Sequence, residues 1–187
     1  MRQPRIGCVM LAAGFGRRFG ADKRRALLPD GTPLLTHTLR AAAPAFSERV
    51  LVLREEDEDL RKRHADWPCV IATDAALGLG HSLAAALPHI EDWDGMVVAL
   101  GDMPWVQTRT YAQIKQRLAP ELLVVPYYQG QRGNPVGIGS DFFPELMKPQ
   151  GDQGARTLFK RHSSSLVACE VDDAGILRDV DSPQDLR

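Results

Sequence analysis

The stretch CVMLAAGFGRRFGADKRRALLPDG, Cys8 to Gly31, passes from an apolar run through closely spaced glycines into a cluster of positive charge. The apolar run, IGCVMLAA from Ile6 to Ala13, carries no polar side chain on either alternating face, as a strand buried within a parallel sheet requires. Glycines at 14, 16 and 20 then let backbone amides approach a ligand, and Arg17, Arg18, Lys23, Arg24 and Arg25 follow. A strand, a glycine turn and nearby cations suit phosphate groups. A solvated basic turn has the same composition, so the loop alone leaves both readings open. The dinucleotide fingerprint Gly-x-Gly-x-x-Gly fails at Phe19, and no Gly-Lys-Ser/Thr follows as a Walker loop needs.

Outward from this strand, apolar runs of strand length alternate with segments of helical period. Leu34, Leu35, Thr38, Leu39 and Ala42 have helical spacing, and Pro44 closes that helix. RVLVLRE, CVIATD and GMVVAL read as strands, with a highly charged helix, EDEDLRKRHADW, between the first two. LGHSLAAALPHI and RTYAQIKQRL read as helices. ELLVVPYY, NPVGIG, SLVACEVD and GILRDVD read as later strands, GDQGARTLFKRH as a loop entering a helix, and SPQDLR as the start of a terminal helix. This order implies an α/β fold, a mostly parallel sheet with helices on both faces. Right-handed crossovers gather the loops that follow the strands along one edge, where such sheets bind ligands.

The 187 residues, with no linker or repeat, are expected to form a single domain over 1–187. The chain is 44% hydrophobic and 25% charged with a net charge of -1, so no global field favours nucleic acid or an anionic membrane. No apolar run approaches the roughly 18 residues of a membrane span. Cys8, Cys69 and Cys169 are far apart in apolar surroundings, which suits buried thiols in a reducing compartment. The cytoplasm is the expected location.

A second constellation is VVALGDMPWV, in which Asp102 emerges directly after an apolar strand. A carboxylate there needs a cation or amide partner, and Mg2+ held by one or two carboxylates, phosphates and water would serve. An Asp capping the turn before Pro104 is the structural alternative. Asp179 and Asp181 flank Val180 and share a face if the segment is a regular strand; an N-terminal helix signal at Asp181, Ser182 and Pro183 reads equally well. Gly78, Gly80 and Ser82 stand at a helix entrance able to meet a nucleobase edge or ribose. RGNPVGIG and GDQGAR are further polar glycine loops, each with an arginine, suited to a second, anionic substrate.

LAAGFGRRFGADK, LGLGHSL, LGDMP, RGNPVGIG, GDQGAR and DVDSPQDL occur in this order, and the set resembles the molybdenum cofactor cytidylyltransferase type of MobA-like nucleotidyltransferase over nearly the whole chain. The resemblance implies a Rossmann-like three-layer αβα nucleotidyltransferase fold. It implies that Leu11, Ala12, Ala13, Gly14, Gly16, Arg18, Lys23, Gly78, Gly80 and Ser82 bind the nucleotide. Arg18, Lys23 and Asp102 are then the catalytic set, and Asp102 with Asp181 holds Mg2+. Arg132, Asn134, Asp152 and Arg156 would face the acceptor. Ala13 stands where guanylyltransferases usually have glycine, and its methyl would favour the smaller base, making CTP the expected nucleotide.

The implied reaction joins a nucleoside monophosphate from NTP to a phosphorylated acceptor, with molybdenum-pterin cofactor the expected one, and releases pyrophosphate. A molybdoenzyme or its chaperone would be the protein partner. Four positions depart from the family pattern. Asn134 stands where His is common, Gly101 where Ala is usual, and Arg24 and Arg25 where the family tends to be apolar. A looser strand end is expected at Gly101, and surface charge or extra phosphate contacts at the two arginines. Transfer to a sugar or alditol phosphate is the alternative within enzymes. A non-catalytic nucleotide or cofactor-binding chaperone is the alternative outside them, and it requires that Asp102 and Asp181 do not approach a common cation.

Overall fold

Strands buried along nearly their whole length point successive side chains to opposite faces, which sorts the apolar residues into two cores, one on either face of a single sheet. The computed structural model describes residues 3–16, 18–148 and 154–186, with 154–156 described by their backbone alone. Its elements are β1 (Ile6–Leu11), α1 (Leu34–Ala42), β2 (Arg49–Leu53), α2 (Glu58–Arg63), β3 (Cys69–Ile71), α3 (Leu79–Ala86) and β4 (Gly95–Leu100). The second half adds α4 (Thr108–Arg117), β5 (Leu123–Tyr128), β6 (Gln131–Arg132), β7 (Val136–Gly139), α5 (Phe143–Leu146), α6 (Gly154–Arg161) and β8 (Leu166–Glu170).

On β1, Cys8 and Met10 face a core with Leu35 and Leu39 of α1, Leu60 of α2, and Tyr111 and Ile114 of α4. Val9 and Leu11 face the opposite core, with Leu83 of α3, Leu146 of α5, and Leu158 and Phe159 of α6. Both sets are needed because β1 is central and has no solvent face. Each fully buried aliphatic side chain contributes about 1.5–3 kcal/mol.

The strand order is β3-β2-β1-β4-β7-β5-β6, with β8 also paired to β5. β3, β2, β1 and β4 run parallel, β7 is antiparallel to β4 and to β5, and β8 is parallel to β5. The sheet is therefore mostly parallel but mixed, and the NPVGIG strand is the reversal within it. β1 and β4 pair level at their ends, Leu11 opposite Leu100. The glycine loop and the LGDMP turn consequently leave the sheet side by side.

One expected strand is absent: GILRDVD forms a 3-10 turn over Ala174–Leu177 and then an irregular segment to Asp181. Asp173, 2% exposed, explains why. Its carboxylate accepts from the Gly175 amide, closing the turn, and from the Gln107 amide and Thr110 hydroxyl of α4's first turn. The segment so anchored returns to the sheet end, where the Val180 amide donates to the Asp102 carbonyl at 2.9 Å. The expected terminal helix is a single 3-10 turn, Pro183–Leu186.

Candidate active site

Three carboxylates converge where β4 ends. Ligand-capable oxygens of Asp102, Asp179 and Asp181 all lie within 4.8 Å of one another. Asp179 and Asp181 reach this point from an irregular segment and not by strand alternation, because the Val180 tether to Asp102 carries both of its neighbours in. Lys23 lies among them: its ammonium donates to Asp102 Oδ2 at 2.6 Å and to the Val180 carbonyl at 2.7 Å, and lies 3.5 Å from Asp181 Oδ1. Arg18, with its side chain 83% exposed, pairs with Asp181 Oδ2 at 3.2 Å. Asp102 Oδ1 is buried with no hydrogen-bond partner among the described residues. An orphaned anionic oxygen beside two further carboxylates is a donor set that fits a hard divalent cation, since such ions take oxygen ligands and offset the desolvation of carboxylates.

A cleft of about 250 Å³ adjoins this cluster, lined by Leu11, Ala12, Gly14, Lys23, Leu79 and Asp102 among others. The backbone packs closely beside the cleft at Gly101. A Cβ at Gly101 would lie 3.1 Å from the Ala12 Cβ and 3.2 Å from the Leu11 carbonyl. The strand end at Gly101 is paired, its amide donating to Leu11 O at 2.9 Å. Across the cleft, Gly78 turns the chain into α3 with φ 122°, a left-handed value suited to glycine.

Comparison with known proteins assigns this arrangement to a family. The model of the MobA-like NTP transferase domain matches residues 8–166. The chain belongs to the MobA-like nucleotidyltransferase family. The purine catabolism protein PucB of Bacillus subtilis (strain 168) is 32% identical over 198 residues, covering 99% of this chain and 96% of PucB. The bifunctional protein GlmU of Halorhodospira halophila is 38% identical over 113 residues, covering 59% of this chain and 24% of GlmU, so the match takes in about a quarter of that protein. Among solved structures, Rv0371c of Mycobacterium tuberculosis H37Rv superposes with a TM-score of 0.85 at 28% identity, covering 99% of this chain and 96% of that one. Rv0371c has also been solved in complex with manganese.

A MobA-like domain implies an NTP and an acceptor, and the residues expected to meet them are not all equally placed. Leu11, Ala12, Gly14, Lys23 and Asp102 line the cleft together. Gly16 has φ 52°, and a Cβ there would lie 3.4 Å from the Lys23 stem. Ala13 is 1% exposed and lies in the α3-side core, so its methyl meets apolar side chains and not the cleft. Gly80 and Ser82 are buried within α3. Asn134 lies two residues before β7, which pairs with β4, so it stands at the Asp102 end of the sheet; its amide donates to Ile176 O at 3.0 Å. Arg132 stacks over Phe159 at 4.6 Å. Asp152 lies outside the described residues, as does the side chain of Arg156.

Extra phosphate contacts from Arg24 and Arg25 are not what the structure shows. Arg24 is 3% exposed and paired with Asp22 and Asp57, while Arg25 pairs with Asp22 and Asp59. A guanidinium buried in that way has no donor to spare for a phosphate. Residue reasoning also missed the Val180 carbonyl, which no side-chain pattern announces. Asp57 was hidden within the acidic run EEDED.

Proposed function

We propose that the chain is a Mg2+-dependent nucleotidyltransferase formed as one domain over 1–187 and working in the cytoplasm. It joins a nucleoside monophosphate from NTP to a phosphorylated acceptor. A phosphate oxygen of the acceptor attacks the α-phosphorus in line, and the bond from the α-phosphorus to the α,β-bridging oxygen breaks, with pyrophosphate taking the electron pair. The acceptor phosphate is already a nucleophile at neutral pH, so no protein base is required. The residues act by placing charge. Amides of the Gly14–Gly16 loop bind phosphate oxygens, and Lys23 and Arg18 offset the negative charge that grows on the departing pyrophosphate. Asp102 and Asp181, with Asp179 as a third donor, would hold the cation, whose charge when bound supplies further neutralisation.

The observation that carries this reading is the meeting of Lys23 with three carboxylates, one of which keeps a buried oxygen free of any partner among the described residues. The same convergence favours catalysis over a chaperone that only binds nucleotide. The manganese complex of Rv0371c supports a divalent ion. CTP is the preferred nucleotide on the likeness of the ordered motif set to the cytidylyltransferase type, and not on Ala13, whose methyl lies in the core away from the cleft. Molybdenum-pterin cofactor is the preferred acceptor on the RGNPV and GDQGAR motifs, with a molybdoenzyme or its chaperone receiving the product.

Asn134 favours a second reading for the acceptor, a sugar or alditol phosphate. An amide at the acceptor side bonds hydroxyls well and does not titrate as the family's common His would. Following pyrophosphate release with each NTP and a panel of acceptors separates the two. Asp102→Ala is expected to abolish metal-dependent release; undiminished turnover in that variant would sink the assignment.

A further inference from the structure

The backbone beside the cleft is held by charges shut away from solvent. Arg24 has a side chain 4% exposed and Asp57 one 2% exposed. All five guanidinium donors are used. Nε donates to Asp22 Oδ1 at 2.8 Å, Nη2 to Asp22 Oδ2 and Asp57 Oδ1 at 2.7 Å each, and Nη1 to Asp57 Oδ2 and to the Ala12 carbonyl, the last at 2.8 Å. Asp57 also accepts from the Arg54 amide at 3.0 Å, and the Arg54 guanidinium stacks 4.8 Å over Phe15. Three segments are thereby joined: the glycine loop at Ala12 and Phe15, the turn carrying Lys23, and the stretch after β2.

A buried ion pair is a poor source of stability, because desolvating the charges offsets most of their attraction and an apolar pair of similar volume does as well. What a fully bonded guanidinium fork supplies is fixed geometry. Ala12 lines the cleft, and Lys23 is the immediate chain neighbour of Arg24. Resting on the nucleotidyltransferase reading, we propose that Arg24, with Asp57, is a positioning residue for transfer: it sets the Ala12 backbone and the Lys23 ammonium at a fixed separation across the nucleotide site. Arg24 itself lines the cleft, but with all five donors engaged it acts through the backbone and not on the substrate.

The test is the double variant Arg24→Met/Asp57→Leu, with Arg24→Lys beside it, read by thermal unfolding, amide hydrogen exchange and steady-state kinetics on the full chain. The double variant is expected to keep a cooperative transition near that of the wild type, to exchange faster over residues 11–25 and also from Arg54 to the start of α2, which Asp57 holds, and to lose about 100-fold in kcat with acceptor KM unchanged, the scale of an ångström of misplacement. Arg24→Lys, which keeps the charge but has fewer donors, is expected to fall between. Wild-type exchange over 11–25 in the double variant overturns the proposal, and so does loss of the cooperative transition in both variants, which would assign the pair to the fold. If the wild type releases no pyrophosphate with any NTP and acceptor, the nucleotidyltransferase reading fails, and exchange at the loop still decides whether Arg24 and Asp57 fix it.

Discussion

Lys23 shows at single-residue scale how a cation serves two partners. Its ammonium bridges Asp102 and the Val180 carbonyl in a setting only 13% exposed, where the pairing is screened less than at the surface. A divalent ion seeking Asp102 therefore competes with Lys23, while a nucleotide's phosphates draw Lys23 the other way. Lys23→Met is expected to lower kcat by about 100- to 1000-fold, the usual cost of removing one donor aimed at developing charge. The same variant should bind Mn2+ more tightly without nucleotide, since Asp102 Oδ2 is then free; electron paramagnetic resonance of the free ion reads this. Weaker Mn2+ binding would show that Lys23 organises the carboxylates instead of competing for one. The glycine-and-cation pattern made Lys23 legible, because a phosphate grip is local in sequence. Arg24, one residue on, was not legible, since its partner Asp57 lies beyond α1 and β2 and nothing local marks a charge as buried.

Among the elements, α2 illustrates a helix held by its ends. Leu60 is its one buried residue among those described, and its Glu58–Lys62 pair is exposed and worth no more than about 0.3–0.5 kcal/mol. Asp57 anchors the start. His64 closes the end, 6% exposed, with its amide on Leu60 O at 3.0 Å and Nε2 3.5 Å from Thr36 Oγ1 of α1. Burial pushes the His64 imidazole below its ordinary range; Arg63 and Arg40 add to this and Asp66 opposes it. The folded protein then binds fewer protons than the unfolded chain once pH falls below about 6.5, so stability is full above that value and is lost on acidification until the folded imidazole itself protonates. His64→Gln should flatten this slope. Melting temperatures compared between about pH 7.5 and 5.5 should fall more for the wild type than for the variant, carboxylate effects being common to both; parallel curves would place the neutral His64 elsewhere in the balance. From EDEDLRKRHADW a helix is legible, which the structure shortens to Glu58–Arg63, yet the Asp57 and His64 that flank it are interior, because periodicity sorts faces and does not show what packs beyond a helix end.

At the scale of the whole molecule, the site depends on a return from the far end of the chain. The parallel half, β3-β2-β1-β4, was readable because fully apolar strands alternating with helices admit few other arrangements. GILRDVD imitates a strand because Asp179 and Asp181 flank Val180 at strand alternation, whereas a buried carboxylate decides its path. Asp173 has only donors around it, the amides of Gln107 and Gly175 and the hydroxyl of Thr110, so both its oxygens are needed as acceptors. In Asp173→Asn one acceptor becomes an NH2 facing a donor. The expected loss is about 1.5–3 kcal/mol, the worth of a hydrogen bond to a charged group, or about 3–12 °C in melting temperature for a chain of this size. The change should also weaken Mn2+ binding, although Asp173 is not among the three clustered carboxylates, because the 173–181 segment sets where Asp179 and Asp181 stand. Asp102→Asn supplies the contrast: Mn2+ binding should fall there through the lost carboxylate charge, and any fall in melting temperature reports the weakened Lys23 pair, while the 173–181 segment keeps its anchor. If Asp173→Asn lowers the melting temperature and leaves Mn2+ affinity at the wild-type value, the carboxylates are organised locally by Val180 and Lys23, and the anchor on α4 serves the fold alone.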